Sequence, residues 1–181
     1  MASAEPWQMA EIPGPRKAIV IPRPEALIAL VKRAKRLIFI VGHGASEVSL
    51  KEGGTPMDWS IRVSRASGIP ILATGHAVKG FIERGFKPGA YMSAVDVANR
   101  LIDPGWEGLD GKGQYELAIF IGFHYYLAWN LLSGLKHFSQ NIKTLSLDRF
   151  YQPHASLSLP NLSVDEWEVY LKALEDALRS G

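Results

Sequence analysis

Leu37-Ile38-Phe39-Ile40-Val41-Gly42-His43-Gly44 is an apolar run that stops at a glycine and a histidine, and two later stretches repeat its form. These are Ile69-Pro70-Ile71-Leu72-Ala73-Thr74-Gly75-His76 and Leu117-Ala118-Ile119-Phe120-Ile121-Gly122-Phe123-His124. A short continuous apolar run bounded by a turn residue reads as a strand buried on both faces. Helical patterns separate the three runs, so they read as successive strands of one mostly parallel sheet in a three-layer, Rossmann-like α/β domain. In such a sheet the strand ends gather at the carboxyl edge, where α/β proteins bind their ligands.

Working outward, Ala18 to Ile21 reads as a short edge strand, ended by Pro22 and Pro24. A helix follows from Pro24 to about Lys35, with Leu27, Leu30, Val31 and Ala34 at helical spacing. Its basic end, Lys32, Arg33, Lys35 and Arg36, complements the helix dipole. After the first strand comes a polar segment, Ala45 to Gly54, which reads as a long, mobile loop. Thr55-Pro56-Met57-Asp58 has the form of a capping box, opening a helix that turns Trp59, Val63 and Ala66 inward and stops at Gly68. Ser93-Ala94-Val95-Asp96 opens another, with Val97, Ala98, Leu101 and Ile102 inward.

The third run leads into a helix with Ala128, Leu131, Leu132, Leu135 and Phe138 on its buried face. Ile142 to Leu147 reads as a fourth strand ending at Asp148, and Ser156 to Leu159 as a final edge strand. Ser163-Val164-Asp165-Glu166 caps the last helix, whose Trp167, Leu171, Leu174 and Leu178 point inward. Residues 1–16 read as an extended arm whose one anchor, Trp7, marks a contact with the body of the domain or with a partner, and 17–181 read as one domain.

Composition narrows the chemistry. With 181 residues, 47% of them hydrophobic, the chain can bury one substantial core. The formal net charge of +2 is spread along the chain, which argues against a nucleic-acid footprint. The absence of cysteine excludes a disulfide framework, a thiolate nucleophile and any cluster ligated by cysteines of this chain. No apolar run approaches the ~20 residues of a membrane span, so the expectation is a soluble, cytoplasmic protein.

Three histidines beyond three parallel strands, His43, His76 and His124, could converge on a zinc ion if their rings point to one place. No serine sits in a G-x-S-x-G elbow, so a hydrolase triad has no nucleophile. Asp103, Glu107 and Asp110 lie in a glycine-rich loop, but without EF-hand spacing, and Trp106 reads as the plug of a shaped turn. Phosphate or nucleotide binding fits the strand ends better. Gly42, Gly75 and Gly122 let a phosphate approach backbone N–H groups, Lys79 supplies charge, Asp148 is placed for a ribose hydroxyl, and His43, His76 and His124 in the same turns complete the candidate cofactor-binding set.

Four stretches carry a resemblance: residues 34–42, 69–75, 103–115 and 145–151. Asp103-Pro104-Gly105-Trp106-Glu107-Gly108-Leu109-Asp110-Gly111-Lys112-Gly113-Gln114-Tyr115 is the most specific. Over roughly residues 16–180 the chain resembles the epsilon subunits of archaeal acetyl-CoA decarbonylase/synthase complexes. The resemblance implies an accessory subunit, non-catalytic by itself, joined in an alpha2-epsilon2 type assembly to the alpha subunit of carbon monoxide dehydrogenase. Nickel and iron–sulfur clusters would then belong to that partner alone. Stabilising the alpha subunit and helping electrons pass to FAD are the implied roles, with no tightly bound cofactor on this chain. The implied fold is the NAD/FAD-binding domain of deoxyhypusine synthase, sirtuins and the central domain of thiamine-diphosphate enzymes. Ala77-Val78-Lys79-Gly80 is similar to that central domain, which keeps an FAD- or nucleotide-binding module open as the alternative. The glycine-rich loop from Glu47 to Thr55 is longer than the family pattern. Trp7, Trp106 and Tyr151 are the aromatic residues expected to bury against the alpha chain.

Overall fold

The computed structural model describes residues 16–180. The Trp7 anchor and nearly all of the arm therefore lie outside the described residues. Seven strands form one sheet: β1 Ile19–Val20, β2 Leu37–Val41, β3 Ile71–Thr74, β4 Ala90–Met92, β5 Leu117–Ile121, β6 Lys143–Ser146 and β7 Leu157–Ser158. Their order is β1-β7-β6-β5-β2-β3-β4, and each neighbouring pair is parallel. The chain runs from β2 outward through β3 to β4, then crosses back to β5 and continues to β6 and β7. The topological switch point is therefore the β2/β5 boundary, where Val41 lies opposite Ile121.

The helices are α1 Pro24–Arg33, α2 Pro56–Ser67, α3 Val78–Glu83, α4 Ala94–Ile102, α5 Tyr125–Phe138 and α6 Val164–Arg179. Because strand side chains alternate, the central strands feed two cores. Phe39, Val41, Ile119, Ile121, Leu145 and Leu147 pack against α1, α2, α3 and α6; Ile38, Ile40, Ala118 and Phe120 pack against α4 and α5. This is the three-layer α/β arrangement. Trp59 and Trp167 are buried with their indole N–H groups donating to Leu171 O at 2.8 Å and Leu147 O at 2.7 Å, so α6 is tied to α2 and to the sheet.

Both end signals of α2 are realised: Thr55 and Asp58 form the reciprocal capping box, and Gly68 ends the helix in the left-handed region at φ 73°. The Ser163–Glu166 box opens α6 in the same way. At α4 only half of the box forms, because the Asp96 carboxylate accepts from the Ser93 hydroxyl rather than from its N–H.

Four expectations need correction. Ala66 is exposed although it shares the face of α2 that carries Trp59 and Val63, because it lies in the last turn, where that face is no longer covered. Phe138 is 70% exposed, since α5 ends there and has run past the sheet. The Ser156–Leu159 strand is not an edge: β7 lies between β6 and β1, and the edge position passes to β1. The opposite edge is β4, a short strand outside the apolar runs of the sequence. The loop from Ala45 to Gly54 is tethered rather than loose. Ala45 and Leu50 are buried, and the Glu168 carboxylate accepts from Lys51 N at 2.9 Å and Glu52 N at 2.8 Å.

Candidate functional site

Sheet order sets the turns along the carboxyl edge in the sequence Asp148, Gly122, Gly42, Gly75, after β6, β5, β2 and β3. The residues singled out in the sequence are thus brought to one edge.

At the switch point the two glycine turns fill each other's space. Gly42 N donates to Ile121 O at 2.9 Å, and a Cβ on Gly42 would stand 2.3 Å from Gly122 O. Gly122 has φ 76°, and its Cβ would lie 2.3 Å from Ala45 N. The glycines are required here by contact between the two chain segments, which leaves no room for a ligand between them. Gly75 differs: its turn is exposed, and a Cβ there would meet nothing within 4 Å.

Asp148 reaches across from the end of β6. Gly122 N donates to its Oδ1 at 2.6 Å and Phe123 N donates to its Oδ2 at 3.2 Å. Burial pushes this carboxyl up to about 6, against the two backbone bonds that favour its ionised form. The side chain expected to meet a ribose is therefore already committed to the backbone of the neighbouring turn.

The remaining candidates are solvent-facing. His43 is exposed with Nε2 3.6 Å from Glu47 Oε1, His76 and His124 are exposed, and Lys79 stands 3.8 Å from Glu83. His124 is the N-cap of α5 but makes no side-chain cap bond. Among the described residues no three His, Cys, Asp or Glu side chains are grouped to hold a metal ion, so the three histidines do not converge on a zinc site.

A dinucleotide laid over this switch point would need the N–H groups of Gly122 and Phe123, both of which are taken by Asp148. The residues present do not fit a diphosphate there. A cleft of about 730 Å³ opens at the other end of the strands, between Leu30 and Arg33 of α1 and Leu117, Lys143 and Leu157 at the starts of β5, β6 and β7.

The loop from Asp103 to Gln114 holds a contact that sequence pattern does not announce. Arg36 is not merely a dipole-complementing cation. Its guanidinium donates to Asp110 Oδ1 at 2.7 Å and Oδ2 at 3.2 Å, to Gly113 O at 2.9 Å and to Gln114 O at 3.2 Å, and its Cζ lies 5.0 Å from the centre of the Tyr115 ring. Arg36 holds the Asp110 carboxyl down at about 2. Trp106 is half-buried against Tyr115, with ring centres 5.7 Å apart, as a plug. Tyr151 is internal, 3% exposed, with its hydroxyl donating to Ala18 O at 2.9 Å, so it offers nothing to a partner.

Because only a planar fork satisfies this loop, Arg36→Ala should make residues 103–114 the first site of limited proteolysis, and Arg36→Lys should not restore protection. Equal cleavage of all three chains would show that the loop holds itself.

Comparison with known proteins completes the site. The family model described as CO dehydrogenase beta subunit/acetyl-CoA synthase epsilon subunit matches residues 1–178. The chain is 35% identical over 169 residues to the "Acetyl-CoA decarbonylase/synthase complex subunit epsilon" of Methanothermobacter thermautotrophicus, covering 93% of each chain. It is 39% identical over 159 residues to the subunit of the same name from Methanothrix soehngenii, covering 87% of this chain and 81% of the relative. Against subunit epsilon 1 of Archaeoglobus fulgidus it is 35% identical over 177 residues, covering 97% and 91%.

Proposed function

The chain belongs to the CO dehydrogenase beta subunit/acetyl-CoA synthase epsilon subunit family, and from that premise we propose that it is a non-catalytic subunit of a cytoplasmic acetyl-CoA decarbonylase/synthase complex. It binds the alpha subunit of the carbon monoxide dehydrogenase component, in an alpha2-epsilon2 type assembly, and stabilises it. The observation that carries the non-catalytic reading is the carboxyl edge itself: the Gly42 and Gly122 turns are packed against each other and the Asp148 carboxylate is spent on backbone N–H groups. A chain without cysteine leaves nickel and cysteine-ligated iron–sulfur clusters to the partner. Surface for association is present, since Tyr91 and Phe138 are 66% and 70% exposed.

We further propose kinship with the deoxyhypusine synthase, sirtuin and thiamine-diphosphate central domains, a reading that the parallel sheet and glycine turns support. That kinship supports the second reading, an FAD- or nucleotide-binding module, whose remaining open position is the Gly75 turn with His76 and Lys79. In the preferred reading any help with electron transfer to FAD comes through the assembly, with no flavin seated on Gly42 and Gly122.

Two measurements on the purified full chain decide. Co-expression with a carbon monoxide dehydrogenase alpha chain should give one co-eluting species with a higher Tm for the alpha chain than it has alone; separate elution would reject the accessory role. Anaerobic titration with FAD should leave the flavin spectrum and the Tm of the isolated chain unchanged. A saturable spectral change would transfer the weight to the second reading.

A further inference from the structure

The contact between Asp148 and the turn after β5 has three features that a chance surface bond lacks. It is bidentate, with each carboxylate oxygen taking one of two consecutive backbone N–H groups, at 2.6 Å and 3.2 Å. The first of those groups belongs to Gly122, whose φ of 76° turns successive N–H groups to one side, the geometry of an anion-binding nest. It is also long-range, so local chain stiffness does not produce it. The sheet does: Leu147 N donates to Phe120 O at 2.9 Å, extending the β5/β6 ladder up to the residue before Asp148.

The nest lies at the β2/β5 switch point, where an open parallel sheet presents backbone N–H groups to the oxyanion of a ligand. A carboxylate and a phosphate offer such a nest the same chemistry, a pair of negatively charged acceptor oxygens. On the β2 side, Ala45 closes the approach, because its N, Cα and Cβ all crowd the position where Gly122 would carry a Cβ. We propose that the turn Gly122–Phe123 is an oxyanion site that the chain occupies with its own Asp148 carboxylate, so that the ligand edge of the fold is closed in cis. The site's class of ligand is a small oxyanion, formate or inorganic phosphate, and it becomes available only when the Asp148 side chain is removed. This does not depend on the identity of the partner subunit.

The test uses the full chain with ¹⁵N-labelled amides at pH 7.5 and constant ionic strength set with sodium chloride. In Asp148→Ala, sodium formate and sodium phosphate should each move the Gly122 and Phe123 amide resonances saturably and raise the Tm, while the native chain responds only as it does to chloride. If Asp148→Ala does not fold, Asp148→Ser carries the same titration, and recovery of the folded spectrum on adding formate counts as binding. Two results overturn the proposal. One is an equal, saturable movement of both amide resonances in the native chain, which would mean that the nest is open. The other is no anion-specific response or recovery in either variant, which would make Asp148 an ordinary turn-bracing side chain.

Discussion

Gly122→Ala should cost the chain about 4 kcal/mol, a large part of the ~5–15 kcal/mol that holds a domain of this kind together. Two costs add. A non-glycine residue at φ 76° carries about 1–3 kcal/mol of backbone strain. The new methyl would also meet Ala45 N at 2.3 Å, Ala45 Cβ at 2.4 Å and Ala45 Cα at 2.7 Å. None of these atoms can rotate away, since Ala45 is fully buried in the turn after β2. Overpacking of that kind adds about 1–3 kcal/mol. Gly42→Ala meets the same wall from the other side, at Gly122 O. Gly75→Ala is the control. Its methyl would enter open space, and the substitution should change stability by no more than about 1 kcal/mol. Denaturant unfolding of the three variants checks the ranking, and a Gly122→Ala chain as stable as Gly75→Ala would refute the account of the switch point.

In the sequence these three glycines look alike, each closing an apolar run before a histidine. Sequence pattern reports burial along a strand, and so Leu37–Val41, Ile71–Thr74 and Leu117–Ile121 are legible as strands. The same holds for the helix caps at Thr55 and Ser163, where donor and acceptor lie three residues apart. What the pattern does not report is which turn presses on which. The contact that closes the edge joins Gly42, Ala45, Gly122 and Asp148 from three different strand ends, and the alternation of apolar residues is silent about it.

Arg36 is the same lesson in reverse. Its partners at 110–114 are more than 70 positions away, so its neighbours Lys32, Arg33 and Lys35 make it look like one more cation at a helix end. Phe138 and Ala66 escape the helical pattern because spacing identifies a face without showing how far along the helix that face stays covered. Tyr151 departs the other way: its hydroxyl reaches a backbone carbonyl, which lets an aromatic residue in a polar segment be buried.

Asp148 and His154 should carry opposite pH dependences of stability that oppose each other in the native chain. Burial raises the Asp148 carboxyl from 3.8 to about 6, so between those values the folded chain holds a proton that the unfolded chain has released. Its contribution therefore falls as pH rises from about 4 to 6. His154 is 5% exposed, its ring 4.2 Å from that of Trp129, and burial together with Lys136 and His137 lowers it from 6.5 to about 4. Here the unfolded chain holds the extra proton, so this contribution is fully present above 6.5 and is lost as pH falls toward 4. A tenfold change in proton affinity is worth about 1.4 kcal/mol, so each group moves stability by an amount on the order of a few kcal/mol, over overlapping windows. Asp110, held near 2 by Arg36, loses its contribution only below that window, as pH falls from 3.8. Urea unfolding of the native chain at intervals from pH 4.5 to 6 should therefore give a profile shallower than that of either single variant. Asp148→Asn should uncover His154, with stability falling toward acid. His154→Phe, which keeps a ring against Trp129, should uncover Asp148, with stability rising toward acid. Single variants that both retain the native profile would mean that neither group is perturbed by its surroundings.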